Sequence, residues 1–171
     1  FSTLADVARP GRRTVMLGRH LGRAAVPITF GLKSAVFLDG CRRHYVRLDE
    51  ITERVCVGKF LGAVGTGAAQ GDNARELQRL ILTHLVLSVP LVTTQVVGRD
   101  RYIEWVSWMA NVATSVEKLL QEIRNLQRCE IAEVGEWFDA EKQVGSSTMA
   151  HKRNPLTAEN ACGLARIVRS F

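Results

Sequence analysis

Metal-binding and disulfide patterns are missing from this sequence. The four cysteines, Cys41, Cys56, Cys129 and Cys162, are spread along the chain with no C-x-x-C pair. That removes the usual zinc and thiol-redox spacings and gives no basis for a disulfide framework. The four histidines, His20, His44, His84 and His151, show no metal-ligand spacing. A reducing cytoplasm is the expected setting. No apolar run is long enough to span a bilayer, so no membrane partner is expected. Aromatic residues are scarce, at 6%. The basic residues are scattered, as in Arg12–Arg13, Arg42–Arg43, Arg99 with Arg101, and Lys152–Arg153, and form no alternating basic–aromatic stripe. A nucleic-acid surface is therefore not expected. The net charge of +6 favours anionic partners without naming one.

What is present is apolar and periodic. Hydrophobic residues make up 46% of 171 residues, enough for one domain with a sizeable core. The start, FSTLADVARPGRR, has neither an initiator methionine nor the apolar segment of a signal peptide, and the end, GLARIVRSF, stops inside a predicted helix. A piece of a longer protein is expected. After Pro27, the apolar positions Leu32, Ala35, Tyr45, Leu48, Ile51 and Val55 recur at threes and fours, which predicts a long helix. Residues 58–73, GKFLGAVGTGAAQGDN, combine five glycines with Phe60, Leu61 and Val64, a composition that suits close backbone packing or close approach to a ligand. Asp72 or Asn73 can cap a helix running to about His84. LVLSVPLVTTQVVGRD, residues 85–100, is β-branched but lacks a partner strand and reads as a connector. From Asp100 a second long helix runs to about Arg128, with a core stripe through Trp105, Met109, Val116 and Leu126. The predicted class is all-α, a long-helix bundle.

GSSTMAHKRNP, residues 145–155, consists of turn formers and by composition is a polar loop. Its content also suits anion chemistry. Backbone N–H groups after a glycine can form an anion-binding nest. Lys152 adds a fixed charge, Asn154 adds amide donors, and the hydroxyls can move protons if their pKa is depressed.

This loop resembles the G-S-S-x-M-P-x-K-x-N motif of the fumarase/aspartase superfamily. MLGRHLGRAAVPITFGLK resembles that family's G-R-T-H-G-Q segment and following helix, and GKFLGAVGT its G-K-x-x-G-A-V-G-T segment. TTQVVGRDRY and EIRNLQRCEIAEV are closest to the adenylosuccinate lyase branch. The muconate cycloisomerase branch shares the H-K-R-N-P ending and is the alternative.

The resemblance implies that residues 1–171 form a central helical domain segment, with a mobile loop at about 139–155 and with the family's N-terminal and C-terminal domains absent. It implies a homotetramer whose sites draw on three subunits, and elimination of fumarate from an anionic purine nucleotide, with no metal or organic cofactor. By resemblance Ser147 is the general base, and Lys152 and Asn154 hold the succinyl carboxylate. Gln95, Arg99, Arg101 and Ser146 contact substrate, Thr148 and Met149 contribute mainly backbone, and Glu159 supports the loop.

Three departures stand beside this. Aligned without gaps, the family's histidine, which serves or assists the general acid, is Leu21, and its glutamine is Arg23. Leucine transfers no proton. His20, one place early, is either an unrelated polar residue or a displaced acid. The proline of the loop motif is Ala150, which frees φ and adds an N–H. The family's early and late segments are not in this chain. The isolated chain is therefore expected to lack turnover, and a non-catalytic helical assembly piece is the competing reading.

Overall fold

The computed structural model describes residues 2–171. In chain order the elements are α1 (Ser2–Gly11), β1 (Val15–His20), β2 (Arg23–Thr29), α2 (Phe30–Val55), a 3-10 turn (Ala68–Asn73), α3 (Ala74–His84), α4 (Asp100–Leu126) and α5 (Leu156–Val168). The helical class is as the periodicity indicates, with both long helices within about two residues of their expected ends. No described helix is long and apolar enough to cross a membrane. The chain divides into two units. One joins the chain up to His44 with Met109–Phe171, and the other is Tyr45–Trp108.

Two features of the first unit escape the periodic reading. Helix α1 carries Pro10 one residue before its end, in the last turn, so the missing N–H removes one intrahelical bond there and the helix stops directly after it. Residues 15–29 form an antiparallel hairpin, with Met16 opposite Ile28 and His20 opposite Arg23. Pro27 does not open the helix; it sits in β2 opposite Leu17, next to a register shift, a position where a missing donor is tolerated. The helix starts three residues later because Thr29 caps it: its Oγ1 accepts the Leu32 N–H at 3.1 Å.

Within this unit α2 and α4 run antiparallel. Lys33 pairs with Glu122, and His44 Nε2 lies 2.7 Å from Ser115 Oγ. Helix α5 buries Ala158, Cys162 and Ala165, one narrow face of small side chains at helical spacing. That face lets α5 approach α4 closely enough for Cys162 Sγ to lie 3.8 Å from the Glu117 carbonyl. The Glu117 carboxylate then takes Arg166 at 3.4 Å and also Arg169. Hydrogen bonding from Arg169 holds it below the usual carboxylate range, against a smaller upward push from burial. The N-terminus of α5 is capped from outside, since Glu136 accepts the Thr157 N–H at 2.9 Å and the Ala158 N–H at 3.1 Å.

In the second unit the glycine-rich stretch packs backbone on backbone. A Cβ at Gly65 would overlap the Thr93 carbonyl oxygen. Gln78 Oε1 accepts the Phe60 N–H at 2.7 Å, and Gln70 Nε2 donates to the Phe60 carbonyl at 3.0 Å. Helix α3 buries Ala74, Gln78 and Leu82 at spacings of four. Asn73 precedes it as expected, though without a side-chain cap bond. The β-branched connector does find a strand-like partner, a single parallel bridge between Val57 and Ser88. One bridge needs no second periodic strand, so no alternation announced it. Trp105 and Trp108 stack with centroids 5.1 Å apart.

Two stability predictions follow from local geometry. Leu21 and Gly22 form the hairpin tip with φ of 52° and 77°. That is the type I′ pattern, which favours Asn-Gly and penalises a branched side chain. Leu21 is 88% exposed, so it has little packing to lose. Leu21→Asn is expected to stabilise the chain by about 0.5–1 kcal/mol in denaturant unfolding; a lower midpoint would count against a strained tip. For Glu136, burial pushes the carboxyl up, but hydrogen bonds from Thr157 and from the Ala158 N–H outweigh it and leave it below its ordinary range. Its contribution is therefore complete above the unfolded value of about 4.3 and is lost as pH falls through the lower folded value. Glu136→Gln should lower Tm at neutral pH and flatten the acid limb of the Tm–pH curve.

Candidate active site

Residues 127–155 contain neither helix nor strand, and side chains hold them in shape. Gln127 bridges both ends: its Oε1 accepts the Glu136 N–H at 2.8 Å, and its Nε2 donates to the Arg153 carbonyl at 3.1 Å. Glu133 reaches the hairpin, accepting the Leu17 N–H at 3.2 Å and pairing with Arg19 at 2.6 Å. Hydrogen bonding to Arg19 holds the Glu133 carboxyl down, over a smaller upward push from burial. The Arg153 guanidinium lies 4.1 Å from the Phe138 ring centroid, a cation–π contact.

The loop 145–155 folds back on itself. Gly145 is buried, and a Cβ there would overlap the Lys152 carbonyl oxygen. Asn154 Nδ2 donates to the Gly145 carbonyl at 2.9 Å, which closes the loop at its base. Ser146 Oγ accepts the Thr148 and Met149 N–H groups at 3.3 and 3.1 Å, and the Lys152 N–H reaches the Met149 carbonyl at 3.0 Å. Those three N–H groups are engaged inside the loop, so they do not form an open nest in this conformation. Ser147 is exposed at the apex, and its hydroxyl has no hydrogen-bond partner among the described residues.

Lys152, Asn154 and Glu159 line one cavity of about 520 Å³, together with Gln121, Arg124, Asn125, Arg128 and Pro155. The sequence-derived residues thus meet a wall from the end of α4 that sequence reasoning missed. A signal was present. Gln121, Arg124 and Asn125 recur at threes and fours on α4 apart from the apolar stripe of Leu119, Leu120, Ile123 and Leu126, and Arg128 follows just past the end of the helix. A polar helix face is ordinarily only solvated, and nothing in α4 itself says that Lys152 folds back to face it.

The remaining predicted residues lie elsewhere. His20 is exposed at the end of β1, and Leu21 occupies the turn beside it. Gln95, Arg99 and Arg101 belong to the second unit. Gln95 and Arg99 are exposed. Arg101 Nη1 donates to the Arg54 carbonyl at 2.5 Å, so part of its guanidinium closes the end of α2. No group of His, Cys, Asp and Glu among the described residues could hold a metal ion.

The chain has relatives among known proteins. A family model described as lyase matches residues 1–169. The chain is 49% identical over 171 residues to the adenylosuccinate lyase of Methanothermobacter thermautotrophicus, covering 100% of this chain and 38% of that protein. It is 50% identical over 169 residues to the adenylosuccinate lyase of Pyrococcus horikoshii, covering 99% and 37% respectively. It thus spans less than two fifths of these relatives. Among solved structures, a fumarate lyase from Mesorhizobium sp. BNC1 superposes with a TM-score of 0.79 at 37% identity, over 99% of this chain and 36% of that one. The 3-carboxy-cis,cis-muconate lactonizing enzyme from Pseudomonas putida superposes at 0.81 with 34% identity, over 99% and 36%. The chain belongs to this lyase family, the fumarase/aspartase superfamily whose loop motif it carries.

Proposed function

We propose that this chain is the central segment of a carbon–nitrogen lyase that eliminates fumarate from adenylosuccinate and from succinyl-aminoimidazole-carboxamide ribotide. The observation that carries the reading is the shared cavity of Lys152, Asn154 and Glu159, with Ser147 exposed in the same 145–155 loop. The relatives named as adenylosuccinate lyases support the substrate. The solved muconate enzyme keeps a cycloisomerase as the second reading.

The chemistry assigns the parts. Ser147, as an alkoxide, removes the proton from the carbon next to a carboxylate. The carbon–nitrogen bond then breaks and the electron pair leaves with nitrogen. A serine performs this only where donors and cations stabilise its anion. Lys152 and Asn154 hold the carboxylate and take up the charge that develops on it, Glu159 supports the loop, Ser146 shapes it, and Thr148 and Met149 contribute backbone. Gln95, Arg99 and Arg101 contact substrate in the sites of an assembled protein. The departing nitrogen needs a proton, and Leu21 has none to give; His20, one place earlier, is either an unrelated polar residue or a displaced acid. Loop closure over substrate excludes water.

Assembly is part of the proposal. Leu32 and Val36 on α2 are more than half exposed, and so are Leu164 and Ile167 on α5. Apolar surface on that scale suits burial against other copies, and a homotetramer is the proposed state. Light scattering should give a mass above the monomer's 19.0 kDa; a monomer at every concentration would remove this part.

The decisive assay is fumarate release from adenylosuccinate, with a carboxymuconate substrate in parallel. The parent chain is expected to show no turnover and Leu21→His to gain it, with Ser147→Ala in that background lowering the rate by about 10²–10⁴-fold. Activity on the muconate alone would move the chain to the cycloisomerase branch. A rate indifferent to Ser147→Ala would remove the base assignment, and silence in every variant would leave a non-catalytic assembly role.

A further inference from the structure

The second unit holds a cavity of its own, about 480 Å³, formed by the glycine-rich stretch, the start of α3 and the β-branched connector. Leu61, Val89 and Pro90 give it an apolar wall. Arg75, Gln78 and Thr66 line it with polar side chains. Apolar walls with a few convergent polar groups, at this volume, are the usual form of a small-molecule site.

Arg75 and Gln78 are three residues apart on α3, so they share a face of that helix. Gln78 is only 3% exposed. Its Oε1 accepts the Phe60 N–H at 2.7 Å, while its Nε2 has no hydrogen-bond partner among the described residues. Holding Phe60 needs only the acceptor half of this amide; the donor half is unused in a residue that lines the cavity. Arg75 is exposed and has no carboxylate within ion-pair distance among the described residues. The adjacent Glu76 gives both oxygens to Arg79, at 2.8 and 2.6 Å. Thr66 Oγ1 accepts the Ala68 N–H at 3.4 Å and keeps its own proton to donate. Thr93, a further lining residue, has a buried hydroxyl with no partner among the described residues, a group that calls for an acceptor.

We propose that this cavity binds a small monocarboxylate with a short apolar body. Arg75 and the Gln78 amide hold the carboxylate oxygens, and Leu61, Val89 and Pro90 cover the body. One guanidinium and one neutral amide match a single negative charge. A phosphomonoester, with its double charge and three oxygens, would find one cation there. A neutral ligand would leave Arg75 unpaired. The lining residues belong to the second unit, whereas Lys152 and Asn154 belong to the first. None of them has a part in the proposed elimination, so the two readings stand or fall separately.

The test is a chemical-shift titration of the isotope-labelled chain with benzoate, acetate and benzamide. Benzoate is expected to move the Gln78 side-chain amide signal and the backbone signals of Thr66 and Thr93. Acetate lacks the apolar body and benzamide lacks the charge, so each should bind about tenfold more weakly. Arg75→Gln should weaken benzoate about tenfold. Gln78→Glu is the sharper variant. It keeps an oxygen for the Phe60 N–H, replaces the donor with an anion, and offers Arg75 a partner three residues away. It is expected to abolish benzoate binding without lowering Tm, a combination that a purely structural role for Gln78 does not produce. Should that variant not fold, Arg75→Gln, a change at an exposed side chain, decides the matter. Lys152→Gln should leave benzoate binding unchanged. Four results would overturn the site: no shifts up to about 20 mM benzoate, acetate binding as well as benzoate (an adventitious ion only), benzamide binding as well as benzoate, or benzoate affinity indifferent to Arg75→Gln. The shifts are read without turnover, so a chain that releases no fumarate can still bind benzoate here.

Discussion

Gly145 lies so close under the Lys152 carbonyl that any side chain would displace it. This contact brings the two ends of a polar loop together, and Asn154 seals it through its bond to the Gly145 carbonyl. Without the close approach, Lys152 and Asn154 would extend into solvent and the wall opposite α4 would not exist. Ordering a loop of this kind costs backbone entropy, which the internal hydrogen bonds through Ser146 and the anchor at Gln127 offset. Ser147 stays exposed within this closed loop.

Charge is used in two ways around this loop. Carboxylates at Glu117, Glu122 and Glu133 take cations from neighbouring elements and fix how those elements meet. Partly exposed pairs contribute modestly to stability, so their larger effect is on geometry: Glu133 sets where β1 lies against the loop, and Glu117 sets how the end of α5 lies against α4. Around the cavity the rule reverses: among the described residues Arg124, Arg128 and Lys152 have no carboxylate within ion-pair distance.

The hairpin concentrates the departures from the family pattern. Arg19 is tied down by Glu133, so the strand that delivers the tip is well positioned. The tip itself holds a leucine in a left-handed conformation, fully in water. The strand that leads to the tip is tied down, and the tip itself carries Leu21, a side chain with no proton to give.

By itself, the sequence determined the helical class, the spans of α2 and α4, and the identity of the loop. Those properties are local, since a 3.6-residue period in Leu48, Ile51 and Val55 or a long motif at 145–155 can be read without knowing what they touch. It also determined the chemistry available at Ser147, Lys152 and Asn154. Only the tertiary structure decided the hairpin, whose strands are short and whose Pro27 reads locally as a breaker, and helix α1, which Pro10 disguises. Only it decided that Glu136 caps α5 from twenty residues away. Above all it decided that Gln121, Arg124 and Asn125 of α4, with Arg128 just past its end, share a cavity with Lys152. Arg124 and Arg128 carry no signal that separates them from solvated surface arginines; their meaning comes from Lys152, brought opposite them by a backbone contact at Gly145 that no local pattern encodes.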